Sequence, residues 1–203
     1  MKRILVSCVL LSLSLALSSA ETPAPAPAQT KAPVSIPESI IPAELYYDAK
    51  KKPQAYYELE NKPMPAIDFS KLKLKDGQKA PVDLKGKIVV VDLFATWCGP
   101  CKRLLPHNDE LQKKFGDKVV FLSICVSGDE AAWTKLVADR SSLMLFSPDK
   151  SAIRSSLCRD FKLPFYPFVS LIDGKGTLRS AGLNVEKAGN LEKALEILIN
   201  EKP

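Results

Sequence analysis

Apolar residues follow two rhythms along this chain, and the change from one to the other marks its elements. After Gly86-Lys87 comes Ile88-Val89-Val90-Val91-Asp92-Leu93-Phe94, a continuous β-branched run that predicts a central strand buried on both faces. Past Cys98 the spacing lengthens: Leu104, Leu111 and Phe115 fall on one helical face, and Gly116 supplies a stop. Residues 119–126 predict a second buried strand, and residues 129–140 a helix. Residues 168–172, the turn Asp173-Gly174-Lys175-Gly176 and residues 177–181 read as a hairpin. Leu191, Leu195 and Leu198 line a closing amphipathic helix. Strands alternate with helices early and a hairpin ends the sheet, which predicts an α/β fold with a central mixed β-sheet flanked by helices.

The globular pattern begins near Lys62, so the expected domain is 62–203. Two different segments precede it. Lys2-Arg3, an apolar run over 4–17 and the small residues Ser18-Ser19-Ala20 read as a signal peptide, 1–20, cut before Glu21. The run is shorter than the roughly 20 residues that span a bilayer, so an uncleaved anchor is the weaker reading. Leu5-Val6-Ser7-Cys8 resembles a lipidation motif, but too little apolar sequence precedes Cys8. Residues 21–61 form a Pro/Ala-rich linker or tail, whose Pro23-Ala24-Pro25-Ala26-Pro27 favours extended polyproline-like chain. Within it, Tyr46, Tyr47, Tyr56 and Tyr57 lie between charges and either pack on the domain or stay free of it.

At 46% hydrophobic the chain of 203 residues can build an ordinary core. Its net charge of +6 comes from lysines scattered among acids, with no basic-aromatic block, which speaks against nucleic-acid binding. Export changes the cysteine arithmetic. Of 5 cysteines Cys8 leaves with the signal, and Cys98, Cys101, Cys125 and Cys158 enter an oxidising compartment.

Cys98 and Cys101 carry the chemistry. Residues i and i+3 share a helix face, and their separation in a first turn suits a disulfide. Cys98 falls at the helix N-terminus, where free N–H groups and the macrodipole favour the thiolate, the form that attacks. Pro100 fits a first turn that needs no N–H donor from it. Cys101, one turn deeper, is the shielded resolving thiol. A zinc site would need a second pair and more than the single His107, and haem attachment would need His where Lys102 stands, so no metal or cofactor is expected. An inert structural bridge does not suit a strand-helix junction containing Gly99-Pro100.

The segment Phe94-Ala95-Thr96-Trp97-Cys98-Gly99-Pro100-Cys101-Lys102 resembles the active-site signature of the thioredoxin superfamily. Leu84-Lys85-Gly86-Lys87 and Tyr166-Pro167-Phe168-Val169-Ser170-Leu171-Ile172-Asp173 resemble the TlpA/ResA-like branch of exported thiol:disulfide oxidoreductases. The similarity runs from about Lys62 to the C-terminus. It implies a thioredoxin fold and periplasmic dithiol chemistry on protein disulfides by a monomer. Re-reduction would come from a membrane donor of DsbD/CcdA type, and apocytochrome c thiols are one target. Gly99-Pro100 resembles the dipeptide of reducing thioredoxins, with isomerase or oxidase activity as the alternative and a non-catalytic binding module as a third. By the same resemblance Pro167 is the cis-proline facing the Cys pair, Asp92 the buried acid that accepts the Cys101 proton, and Pro106 the proline that kinks the helix. Trp97 shields the disulfide, and Trp97, Gly99, Pro100 and Tyr166 line the substrate site. The pattern departs at Leu104, where ResA-like proteins carry Glu, and at Tyr166, bulkier than the usual residue. His107 is expected on the helix surface. For Cys125 and Cys158 two readings stand: buried thiols, or a second disulfide worth roughly 3–4 kcal/mol.

Overall fold

The apolar runs become the middle of a seven-stranded sheet. The computed structural model describes residues 41–46, 56, 58–80, 83–147 and 151–201. In chain order the elements are β1 (Lys62–Pro63), β2 (Lys73–Leu74), β3 (Ile88–Ala95), α1 (Gly99–Phe115), β4 (Val119–Ser127), α2 (Glu130–Val137), β5 (Leu143–Phe146), α3 (Ala152–Asp160), β6 (Phe168–Ile172), β7 (Thr177–Ala181) and α4 (Asn190–Asn200). The sheet order is β1-β7-β6-β3-β4-β5-β2. β3 runs parallel to β4 and antiparallel to β6, so the expected mixed sheet is what forms. All eight residues of β3 are buried, as its unbroken apolar run requires.

Alternate side chains of the central strands feed two layers. On one face Ile88, Val90, Val119 and Phe121 pack with Leu104 and Leu111 of α1 and with Leu191, Ala194, Leu195 and Leu198 of α4. The same face continues past the strand ends, where Phe94, Cys125 and Phe146 meet Cys101 and Leu105 of α1 and Trp133 of α2. On the other face Val89, Val91, Leu93, Leu122 and Ile124 pack with Ile153 and Leu157 of α3.

The helix expected over 129–140 is shorter, because Asp129 caps it through Ala132 N at 2.8 Å and it ends at Val137. β5 and α3 extend the expected pattern. β5 adds a parallel strand beside β4, and α3 starts at Ser151, whose hydroxyl accepts from Arg154 N at 3.2 Å. Part of the tyrosine-bearing stretch packs on the domain. Ile41, Leu45 and Tyr46 are buried against α4 and Leu183, and the Tyr46 hydroxyl donates to Glu60 Oε1 at 2.9 Å. The Tyr56 ring meets Phe168 with centroids 5.4 Å apart. Tyr47, Tyr57, the expected signal peptide and the Pro/Ala-rich run over 22–40 lie outside the described residues.

Candidate active site

The C-terminal end of β3 delivers the cysteine pair to the start of α1. Cys98 is the N-cap residue of that helix, in extended conformation, and its Sγ accepts from the Cys101 N–H at 3.2 Å. Pro100 occupies the first turn, where its missing N–H leaves no helical bond unmade. Cys98 and Cys101 are joined as a disulfide with Cα atoms 5.3 Å apart. The two sulfur-bearing residues are unequal: Cys98 is 5% exposed and Cys101 0%.

Trp97 stands over the pair. It is 64% exposed, its Nε1 donates to Ser127 Oγ at 3.1 Å, and its ring meets Tyr166 edge-on with centroids 5.5 Å apart. Ser127 ends β4, and its carbonyl accepts from Thr96 N at 3.0 Å. The residue after it has to be glycine. A Cβ on Gly128 would stand 1.9 Å from Thr96 Oγ1, and its φ of +126° is one that side chains rarely adopt.

The Tyr166–Pro167 peptide is cis. Pro167 borders a groove of about 330 Å³ together with Pro100, Arg103 and His107, which brings it beside the first turn of α1. A second groove, about 410 Å³, lies on the Trp97 side and is lined by Cys158, Leu163, Pro164, Phe165 and Tyr166. Gly99 follows Cys98 as the first residue of α1, and a Cβ there would stand 3.8 Å from the Arg103 guanidinium. His107 is a surface residue beside Glu110, as expected.

Asp92 lies on the α1 face of β3 with no solvent contact. Its Oδ2 accepts from Asn108 Nδ2 at 3.0 Å, and its Oδ1 has no hydrogen-bond partner. Burial raises its pKa from an ordinary 3.8 to about 7, against the opposing pull of the Asn108 bond. Pro106 lies inside α1, and Leu104 is buried in the layer between α1 and the sheet rather than presenting an acid there.

Cys125 and Cys158 carry separate thiols, so the second disulfide does not form. Topology explains it. Cys125 pairs in register with Phe94 and points into the α1 layer, whereas Cys158 packs on the opposite face of the sheet. The Cys125 thiol donates to Ser127 O at 3.5 Å, and burial pushes the Cys158 thiol up despite nearby Arg154.

Three neighbours were not singled out from the sequence. Ser127 and Arg154 reach the site from β4 and α3, and Arg154 Nε donates to the Val126 carbonyl. Their separation in the chain hides them. Asn108 was open to detection, because 101, 104, 105, 108, 109 and 111 are the buried residues of α1 and an amide stands among them.

A thioredoxin family model matches residues 79–159. The thioredoxin of Geodia cydonium is 34% identical over 86 residues, 42% of this chain and 79% of that protein. The chain belongs to the thioredoxin family. Its similarity to the thioredoxin-like protein YneN of Bacillus subtilis (strain 168) is 29% identity over 157 residues, 75% of this chain and 87% of YneN. The crystal structure of a thiol-disulfide isomerase from Corynebacterium glutamicum superposes with a TM-score of 0.60 at 19% identity, over 70% of this chain and 99% of that one, a likeness of fold. A thioredoxin fold with a paired Cys98 and Cys101 at the N-terminus of α1 makes this protein a thiol-disulfide oxidoreductase.

Proposed function

We propose that the protein is an exported reductase of protein disulfides of the TlpA/ResA-like branch, cycling Cys98 and Cys101 between dithiol and disulfide. The inequality of the two cysteines carries this reading. Cys98, at the mouth and at the positive end of α1, is the nucleophile, and Cys101, fully buried, is the resolving thiol.

The cycle balances as follows. The Cys98 thiolate attacks one sulfur of a substrate disulfide, and the other sulfur leaves as a thiolate that takes up a proton. Cys101 then gives its proton to Asp92, and its thiolate attacks Cys98 Sγ. The bond from Cys98 to the substrate breaks, the second substrate thiolate departs, and the Cys98–Cys101 disulfide remains. Two electrons have passed to the substrate. A membrane dithiol donor of DsbD/CcdA type restores the pair. Asp92 suits the proton step because burial places its titration near 7, so it can both accept and release a proton near neutrality. Trp97, Gly99, Pro100, Tyr166 and Pro167 seat the substrate chain between the two grooves flanking the pair.

Export rests on the leader-like residues 1–20, and reduction on the Gly99-Pro100 dipeptide. Among the described residues no helix is long and apolar enough to cross a membrane. Trapping tests the assignment of roles. Cys101→Ser should accumulate mixed disulfides with substrate, visible on non-reducing gels, while Cys98→Ser should form none. Trapping by Cys98→Ser instead would reverse the roles.

A further inference from the structure

Asp92 is held by a single side chain. Asn108 donates to Oδ2 at 3.0 Å, and both residues are 0% exposed. Asn108 follows Cys101 by seven residues, two turns along α1, so the stripe that carries the resolving cysteine also carries the amide. The other buried residues of α1 are Leu104, Leu105 and Leu111, which pack in that layer, and Asp109, whose carboxylate is taken up by Arg140, Ser141 N and Ser142 N. A buried amide is unfavourable in such a layer, the more so because Asn108 Oδ1 has no hydrogen-bond partner. Its one bond goes to Asp92.

Among the described residues no charged side chain is among the influences on the Asp92 carboxyl. Its register partners are Ser123 on β4 and Val169 on β6. α4 presents Leu191, Ala194, Leu195 and Leu198 to the same layer. Among the described residues the titratable groups buried on α1 are Cys101, once reduced, and Asp109, which is held by Arg140, Ser141 and Ser142; burial and the Asn108 bond are the influences on the Asp92 carboxyl.

We propose that Asn108 is a positioning residue for the resolving step: its amide fixes the Asp92 carboxylate through Oδ2, keeps it available as a base inside an apolar layer, and leaves Oδ1 as the oxygen that takes the Cys101 proton. The inference rests on the reading of Asp92 as the base for resolution. In that step the Cys101 S–H bond breaks and an Oδ1–H bond forms. The Cys101 thiolate then displaces the substrate thiolate from Cys98, so no electron or proton is left over. A hydrogen bond to the charged form stabilises that form. Without the amide the carboxyl ionises at higher pH, and resolution follows it.

The test is stopped-flow turnover by the reduced full chain of an aromatic model disulfide that releases a coloured thiol. The fast phase, proportional to reagent, reports attack by Cys98. The second phase, independent of reagent concentration, reports resolution. Wild type should show a second phase rising with pH to a midpoint near 7. Asn108→Leu should move that midpoint up by about one pH unit, which is about a tenfold slower second phase at a pH below both midpoints. The first phase should keep its wild-type rate. Asn108→Ser, which is too short to hold Oδ2 and adds no bulk, should shift the midpoint in the same direction. A carbon-13 titration of the Asp92 carboxyl in the oxidised proteins reads the same shift without turnover. An unmoved midpoint in both variants overturns the role of Asn108. If Asp92→Asn also leaves the second phase and its pH dependence intact, the reading of Asp92 has failed; if it abolishes that dependence, the failure is confined to Asn108.

Discussion

A carboxylate without solvent is destabilising when charged, and Asp92 sits charged or neutral according to pH in the middle of β3. Its pKa of about 7, against 3.8 ordinarily, fixes the sign of the effect. Below pH 4 folded and unfolded chains both carry the proton. Between about 4 and 7 the unfolded chain releases it and the folded chain does not, so stability falls as pH rises; above 7 the difference is constant. The integrated loss is on the order of 4 kcal/mol. Asp92→Asn should therefore be more stable than wild type at pH 8 in urea unfolding, and should lose the decline between pH 4 and 7. Equal stability of the two proteins at pH 8 would mean that the carboxyl titrates normally. Several candidate site residues are legible in the sequence because short signatures name them: Cys98, Cys101 and Asp92 are located by Trp97-Cys98-Gly99-Pro100-Cys101, and Pro167 by Tyr166-Pro167-Phe168. Asn108 is not legible in that way. Apolar positions define α1, and a polar residue in a core stripe shows only when the buried face is traced residue by residue.

At the scale of elements, the site depends on how β4 ends. Ser127 receives the Trp97 indole, and Gly128 lets the chain turn away while almost touching Thr96. Gly128→Ala should displace the segment 96–98. The strained φ and the clash together should destabilise by about 1–3 kcal/mol and slow disulfide reduction, measured by urea unfolding and a model-disulfide assay. Wild-type stability and rate would show that the turn tolerates a side chain. Long apolar or strongly periodic elements are legible, as β3, β4, α1 and α4 illustrate. β5 is not, because Leu143-Met144-Leu145-Phe146 is too short a run for periodicity to separate strand from helix. α3 presents Arg154, Ser155, Ser156 and Arg159 among few apolar residues, so its pattern is faint. The two-residue edge strands β1 and β2 have no pattern at all; their partners on β7 and β5 create them.

At the scale of the molecule, long-range pairing decides what the sequence leaves open. Tyr46 packs because Leu183 and Glu60, far from it in the chain, supply a bridge and an acceptor. Cys125 and Cys158 stay apart because the sheet lies between them, which no count of cysteines reveals. The same sheet places a buried acid, a buried cysteine and a cysteine at the mouth of the site in one layer beneath Trp97, and the proposed function as a reductase rests on that arrangement. The most direct test is the reduction potential of the Cys98–Cys101 pair, from its equilibrium with glutathione or a reference thioredoxin. A value near that of reducing thioredoxins, about −270 mV, is predicted, and a value near that of the strong oxidant DsbA, about −120 mV, would contradict it.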